Sequence, residues 1–222
     1  MKLFSLAFSI KKVPKVTWSS EDVFNLKPKP LTLIFLVFGL FLFGLGESLL
    51  ITSGAGVGPY TVLAQGISNH TGWSIGLSTF VISIFVLLIW IPLKQKPGMG
   101  TILNAFIIAL TIEFSVFYLP YPETYPMQIL QVVVGVLIIG IGSGSYLIAN
   151  LGAGPRDGLM IGLQKKTNLP IYSIRTIIEV SVVIVGWLMG GVVGLGTAIF
   201  AFGIGPSVAL GLSMVGKTSK TI

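Results

Sequence analysis

Apolar runs dominate this chain, and their length leaves few folds open. Six stretches, residues 31–51, 74–93, 101–119, 127–149, 171–189 and 197–215, each have the length an α-helix needs to cross ~30 Å of hydrocarbon. Inside a bilayer each such segment must satisfy its own backbone hydrogen bonds, and a helix does so. The expected fold class is therefore all-α, a polytopic membrane protein with six transmembrane helices. Only 9% of the 222 residues are charged and the mean hydropathy is +0.94. A soluble domain carries about 25% charged residues, so this chain lacks the polar surface to face water. Two further segments, 59–69 and 155–165, are too short to cross. Each follows a glycine-rich break and opens with a proline suited to a first helical turn, which reads as a re-entrant half-helix.

The chain also repeats itself. A gap-free shift of 96 residues lays Gly39, Gly44 and Gly46 on Gly135, Gly140 and Gly142. The same shift lays Gly56, Gly58 and Pro59 on Gly152, Gly154 and Pro155, and Gly98, Gly100 and Thr101 on Gly194, Gly196 and Thr197. Over residues 39–113 there are 18 identities in 75 positions, eight of them glycine. Chance matching of apolar residues does not align two glycine frames in one register, so the chain reads as a duplication. The expected organisation is a basic segment at 1–30, a first membrane repeat at 31–120 and a second at 127–215, the two repeats forming one membrane domain.

Basic residues set the expected orientation. Lys2, Lys11, Lys12, Lys15, Lys27 and Lys29 make the first thirty residues basic, which reads as a cytoplasmic tail, either disordered or an interfacial helix on anionic lipid. The apolar stretch LFSLAFSI within it is too short for a signal peptide and is soon interrupted by lysine. With three crossings per repeat, Lys94, Lys96, Arg156, Lys165, Lys166, Lys217 and Lys220 all fall on the cytoplasmic face, and the lysine-free loop PYPETYP (120–126) falls outside. An odd number of crossings per repeat makes the two halves run in opposite directions. The expected architecture is thus two inverted repeats, each with three spanning helices and one re-entrant element.

Inverted repeats with broken helices commonly build a solute site near the bilayer midplane, where half-helix ends point inward. The stretches GAGVGPYT (54–61) and NLGAGPRDG (150–158) supply such ends, with backbone N–H groups and a partial positive charge. Candidate substrate-binding residues are Gly56, Gly58, Pro59, Asn150, Gly152, Gly154, Pro155, Arg156, Asp157 and Arg175. The glycines equally suit tight turns and close packing, and Asp157 suits an ordinary first-turn acid. Arg175 and Glu179 lie four apart on one helix face and can pair. Charges at depth in a bilayer are costly, so Glu179, Glu47 and Glu113 are candidates for proton coupling or for balancing a cation, with paired structural charges as the plain alternative. Asn104, Thr101, Thr197 and Gln65 could line a polar pathway or simply bridge helices. The glycines of GLFLFGLG (39–46) and GVLIIGIG (135–142) read as packing. Trp18, Trp73, Trp90, Trp187, Tyr118, Tyr121 and Tyr125 sit near span ends, as interfacial aromatics do.

Enzyme chemistry finds little support. There is no cysteine and a single histidine, His70, so neither a thiolate nor a paired-histidine metal site is expected. No Gly-x-Ser-x-Gly elbow, His-Glu-x-x-His or Walker A pattern is present. No cofactor is expected. The expected partners are membrane lipids and a small-molecule solute, with no nucleic acid; a homodimer is left open.

Four stretches carry a family resemblance: GAGVGPYTVLAQGIS (54–68), LGAGPRDGLMIGLQKKTNLPI (151–171), GMGT (98–101) and the run from Arg175 to Pro206. Through them the chain resembles the bacterial YczE/YyaS/YitT family of integral membrane proteins, over roughly residues 31–212. The resemblance implies a multi-pass protein of the bacterial inner membrane and specifies no activity. Together the motifs point to a secondary transporter or channel for a small anionic or zwitterionic solute, with its site between the paired Gly-Pro turns. The other function class left open is a membrane-embedded regulatory or assembly partner that transports nothing.

Overall fold

A computed structural model describes residues 13–218, and over them the chain is built from helices. They are α1 (Pro30–Ser53), α2 (Pro59–Thr71), α3 (Ile75–Trp90), α4 (Met99–Ser115), α5 (Tyr125–Ala149), α6 (Pro155–Thr167), α7 (Ile171–Leu188) and α8 (Leu195–Thr218). Each apolar stretch and each short segment of the sequence corresponds to one helix. Prolines open α1, α2 and α6 at positions where no N–H is needed. Left-handed residues close α1 at Gly54, α2 at Gly72, α5 at Asn150 and α6 at Asn168.

The chain is a polytopic membrane protein, all-helical in its regular elements over the described residues. By length and apolarity α1, α5, α7 and α8 can each cross a bilayer, while α2 and α3 form a pair bent by 114° at their junction. With 16 and 17 residues, α3 and α4 reach only about 24–26 Å at ~1.5 Å per residue. Both continue as hydrogen-bonded turns rather than regular helix. Lys94 N–H donates to Ile91 O beyond α3, and Leu119 N–H donates to Ser115 O beyond α4.

The helices sort into two groups by what they touch. In the first, α1 packs extensively on α5, α8 lies against α5, and α4 lies against α1. In the second, α2 packs on α7 and α3, and α6 packs on α3 and α7. The groups meet mainly where α3 lies on α4; no comparable contact joins α7 to α8.

The first group is held by backbone approach. A Cβ on Gly39 would lie 2.7 Å from Gly142 O, and one on Gly46 would lie 2.6 Å from Gly135 O. These contacts are reciprocal across 96 residues, since Gly135 and Gly142 are the counterparts of Gly39 and Gly46. The same reciprocity recurs where the chain breaks: Gly196 N–H donates to Ala55 O (2.8 Å) and Gly100 N–H to Leu151 O (2.7 Å). The positive-φ residues of the described chain also fall into pairs 96 apart: Gly54 with Asn150, Gly56 with Gly152, Gly72 with Asn168, and Lys94 with Gly190. At Gly56 (φ 114°) and Gly152 (φ 123°) a side chain would be strained, and a Cβ would also meet Thr197 or Thr101.

Residues 13–29 fold against the ends of α1 and α5 rather than extending away. Val16 and Trp18 are almost fully buried, and Trp18 stacks on Phe35 with 4.3 Å between ring centroids. Ser20 N–H donates to Ala149 O, and Asn150 Nδ2 donates back to Ser20 O. Thr32 Oγ1 donates to Trp18 O. Trp18 is therefore an anchor in the core rather than an interfacial aromatic. Trp18→Ala is expected to cost about 3–5 kcal/mol, read as a large drop in the melting temperature of purified protein. The expectations for Lys2, Lys11, Lys12, LFSLAFSI and Lys220 lie outside the described residues.

Candidate functional site

The site forms where the first turns of the two short helices approach each other. Each short helix follows a bend whose glycines seat on the start of a neighbouring helix: Gly152 on Gly98 and Thr101, Gly56 on Gly194 and Thr197. Thr101 Oγ1 accepts from Gly98 N–H (3.2 Å) and Thr197 Oγ1 from Gly194 N–H (3.3 Å). These threonines cap α4 and α8 and so fix the two bends. Trp90, buried at the end of α3, donates its Nε1–H to Pro155 O (2.9 Å) and covers Gly158. Its expected place at a membrane interface is corrected by this contact, because the indole nitrogen finds its acceptor inside the protein. A methyl group at Gly158 would overlap the Trp90 ring. Gly158→Ala is expected to cost about 1–3 kcal/mol, and less in a Trp90→Leu background, a coupling that a double-mutant cycle of thermal melts would measure.

A cavity of about 100 Å³ lies between the two helix groups. From the first group come Phe43 and Glu47 on α1, Asn104, Ile108 and Ile112 on α4, and Tyr146 on α5. From the second come Tyr60 and Thr61 in the first turn of α2, Thr79, Ile82, Ser83 and Val86 on α3, and Gly154–Asp157 at the start of α6.

Its charges are incompletely paired. The Arg156 guanidinium lies 5.5 Å from the Tyr60 ring centroid, and its Nε stands 3.9 Å from Asp157 Oδ1. It makes no hydrogen bond among the described residues, although it has five donors. Asp157 Oδ2 accepts from Tyr146 Oη (3.1 Å). Glu47, 6% exposed, accepts from Thr61 Oγ1 (2.8 Å) and has no cation within ion-pair distance among the described residues. The Tyr60 hydroxyl is buried with no hydrogen-bond partner among the described residues. Arg156 also occupies the second position of α6, where the helix dipole disfavours a cation by roughly 0.3–1 kcal/mol. Helix stability therefore does not explain it. With the N–H groups of the α6 start, it gathers hydrogen-bond donors at this end of the cavity, where Asp157 partly offsets its charge.

The two bends differ in what they face. A Cβ on Gly154 would meet the Asn104 amide at 3.3 Å, whereas one on Gly58 would meet the Phe200 ring at 3.1 Å. Asn104 and Phe200 are counterparts across 96 residues, so the α6 bend opens on a polar group and the α2 bend is covered by a buried aromatic.

Of the residues expected at a site, Glu47, Asn104, Gly154, Pro155, Arg156 and Asp157 line the cavity. Gly56, Gly58, Pro59, Gly152, Thr101 and Thr197 build the bends around it. Asn150 closes α5 and ties down Ser20, and Gln65 Oε1 accepts from Val192 N–H (2.9 Å). Arg175 and Glu179 pair at 3.0 Å on α7 and do not line the cavity. Glu113 accepts from Ser74 Oγ beside Gly76, in a separate shallow groove between α3 and α4. Tyr60, Thr61, Tyr146, Thr79 and Ser83 were not anticipated. For Tyr60 and Thr61 a signal existed, since they are the 96-residue counterparts of Arg156 and Asp157. For Tyr146, within a run of glycine and serine, there was none.

Comparison with known proteins agrees with the sequence resemblance. The model of a family described as "Family of unknown function (DUF6198)" matches residues 31–212. The chain is 39% identical to an uncharacterized protein of Haemophilus influenzae over 208 residues, 94% of each chain. It is 33% identical to the uncharacterized membrane protein YczE of Bacillus subtilis over 165 residues, covering 73% of this chain and 77% of that one. The Bacillus subtilis protein YyaS, also uncharacterized, is 26% identical over 163 residues, covering 72% of this chain and 81% of that one. No solved structure matches.

Proposed function

The chain belongs to the DUF6198 family, and we propose that it is a secondary transporter or channel that moves a small anionic or zwitterionic solute across the bacterial inner membrane. One observation carries this reading: a cavity between two helix groups, lined from both, holds an arginine with no hydrogen bond among the described residues, beside the first turns of two half-helices. Half-helix ends that meet at depth are a recurrent way to bind solutes in transporters. Non-helical backbone at that depth is tolerated where it is buried in protein or lines such a space.

The reading treats the chain as two inverted repeats with six crossings, by α1, α3, α4, α5, α7 and α8, and with α2 and α6 re-entrant. Both ends of the membrane domain then face the cytoplasm. The reciprocal contacts of Gly39 with Gly142 and Gly46 with Gly135, and the paired positive-φ residues, support this treatment. So does the sequence duplication. A two-fold axis in the membrane plane produces such isologous contacts.

Inverted repeats also supply a way to move the solute. In the present conformation α3 rests on α4, with Phe80 and Phe106 edge to face at 6.3 Å, and α7 stands off α8. The 96-residue counterparts of Phe80 and Phe106 are Thr176 and Phe202, both exposed. The counterparts of the cavity-lining Thr79 and Ser83 are Arg175 and Glu179. Exchanging the two arrangements closes α7 on α8 and carries the Arg175–Glu179 pair toward the cavity, while α3 leaves α4.

The test is uptake into proteoliposomes. Purified protein should accumulate a labelled small carboxylate or amino acid above protein-free vesicles. Glu179→Gln should lower that uptake at least tenfold by removing the counter-charge of Arg175. Uptake of an identified solute that is unchanged in both Arg156→Ala and Glu179→Gln would remove the site assignment.

A further inference from the structure

The lining of the cavity selects among charge types. It carries one guanidinium, Arg156, and two carboxyl groups, Asp157 and Glu47. Asp157 stands close to Arg156 and takes the Tyr146 hydroxyl, so this pair partly offsets itself. Glu47 is different. It is nine-tenths buried, its one hydrogen bond among the described residues comes from Thr61, and no ion pair joins it to Arg156 although both border the same small volume. A buried carboxylate wants a compensating positive charge, and a guanidinium without hydrogen bonds wants acceptors.

A bare anion would meet the donors of Arg156 but would add a negative charge to a lining already richer in carboxyl groups. A bare cation would meet Glu47 and oppose Arg156. A molecule carrying both charges, a few bonds apart, satisfies both ends at once. We propose that the ligand is a compact zwitterion, with its carboxylate on Arg156 and the Asn104 amide and its cationic end on Glu47 and Thr61. Asn104 has an amide free of side-chain hydrogen bonds among the described residues and faces the α6 bend, beside the place assigned to the carboxylate. The open space of about 100 Å³ suits a ligand as small as the smallest amino acids. This assignment rests on the transport reading of the same cavity and narrows its solute class.

The experiment compares three probes of matched size on purified protein: glycine, acetate and ethylammonium. A ligand of the folded state raises the melting temperature in a saturable manner. Glycine should do so, and acetate and ethylammonium at the same concentration should not. Glu47→Gln should weaken glycine at least tenfold and let acetate bind; Arg156→Gln should weaken glycine at least tenfold and leave acetate without effect. If Glu47→Gln does not yield folded protein, Thr61→Val, which keeps the carboxyl group and removes its donor, should weaken glycine severalfold. Acetate acting as well as glycine on the wild type, glycine binding unchanged in Glu47→Gln, or no response to any probe would each overturn the assignment. Uptake of the same probes separates the two proposals. Arg156-dependent accumulation of acetate keeps transport and removes the zwitterion, whereas glycine that binds without accumulating keeps the ligand class and removes transport.

Discussion

Arg156→Ala is expected to abolish uptake of the solute while leaving the protein folded. The guanidinium makes no hydrogen bond among the described residues and its one ion-pair contact is at 3.9 Å, so the fold loses little when it goes. A bound carboxylate would lose charge-assisted hydrogen bonds of about 1.5–3 kcal/mol, which is a loss of roughly 10- to 150-fold in affinity. Arg156→Lys should recover only part of it, because an ammonium cannot offer the planar fork. A melting temperature within a few degrees of wild type, with uptake at the level of empty vesicles, is the expected combination.

Gly142→Leu is expected to prevent folding altogether. Its Cβ would lie 2.5 Å from Gly39 O and 2.8 Å from Phe43 N, and backbone cannot step aside as a flexible side chain can. Overpacking a core commonly costs about 1–3 kcal/mol. Here it separates α1 from α5, the pair on which the first helix group is built, and total stabilities are only ~5–15 kcal/mol. Loss of the monodisperse peak in size-exclusion chromatography is the readout. The counterpart Gly46→Leu should behave alike, since its Cβ would meet Gly135 O at 2.6 Å. Gly54→Ala is the milder control: its Cβ meets nothing within 4 Å, and the cost comes only from a φ of 70°.

The helices were legible in the sequence because a bilayer imposes length and apolarity on any segment that crosses it. Even the two short helices announced themselves, through Gly-Pro frames that only a bend and a fresh helix start would need. The close approach of α1 to α5 was legible too: the glycines kept at 96-residue spacing stand where backbone meets backbone. Direction of approach was not legible. Trp90 and Trp18 look like interfacial aromatics in a list of span ends, yet both turn inward, one to cap Pro155 O and one to stack on Phe35. Glu113 and Glu47 looked equivalent as charges at depth. Only the packing separates them, since Ser74 holds Glu113 in a groove between α3 and α4 while Glu47 borders the cavity. Tyr146 joined the site through a helix that sequence alone marked as packing.

The claim that the two halves exchange arrangements has one direct test. The chain has no cysteine, so engineered thiols report alone. In membranes, Phe80→Cys with Phe106→Cys should be joined by a short reducible thiol cross-linker, as their present contact demands. Thr176→Cys with Phe202→Cys, the counterpart pair that is apart here, should also be joined, and joining either pair should stop uptake until the linker is reduced. Cross-linking of the first pair alone, with the second never joined while solute is being moved, would contradict the account.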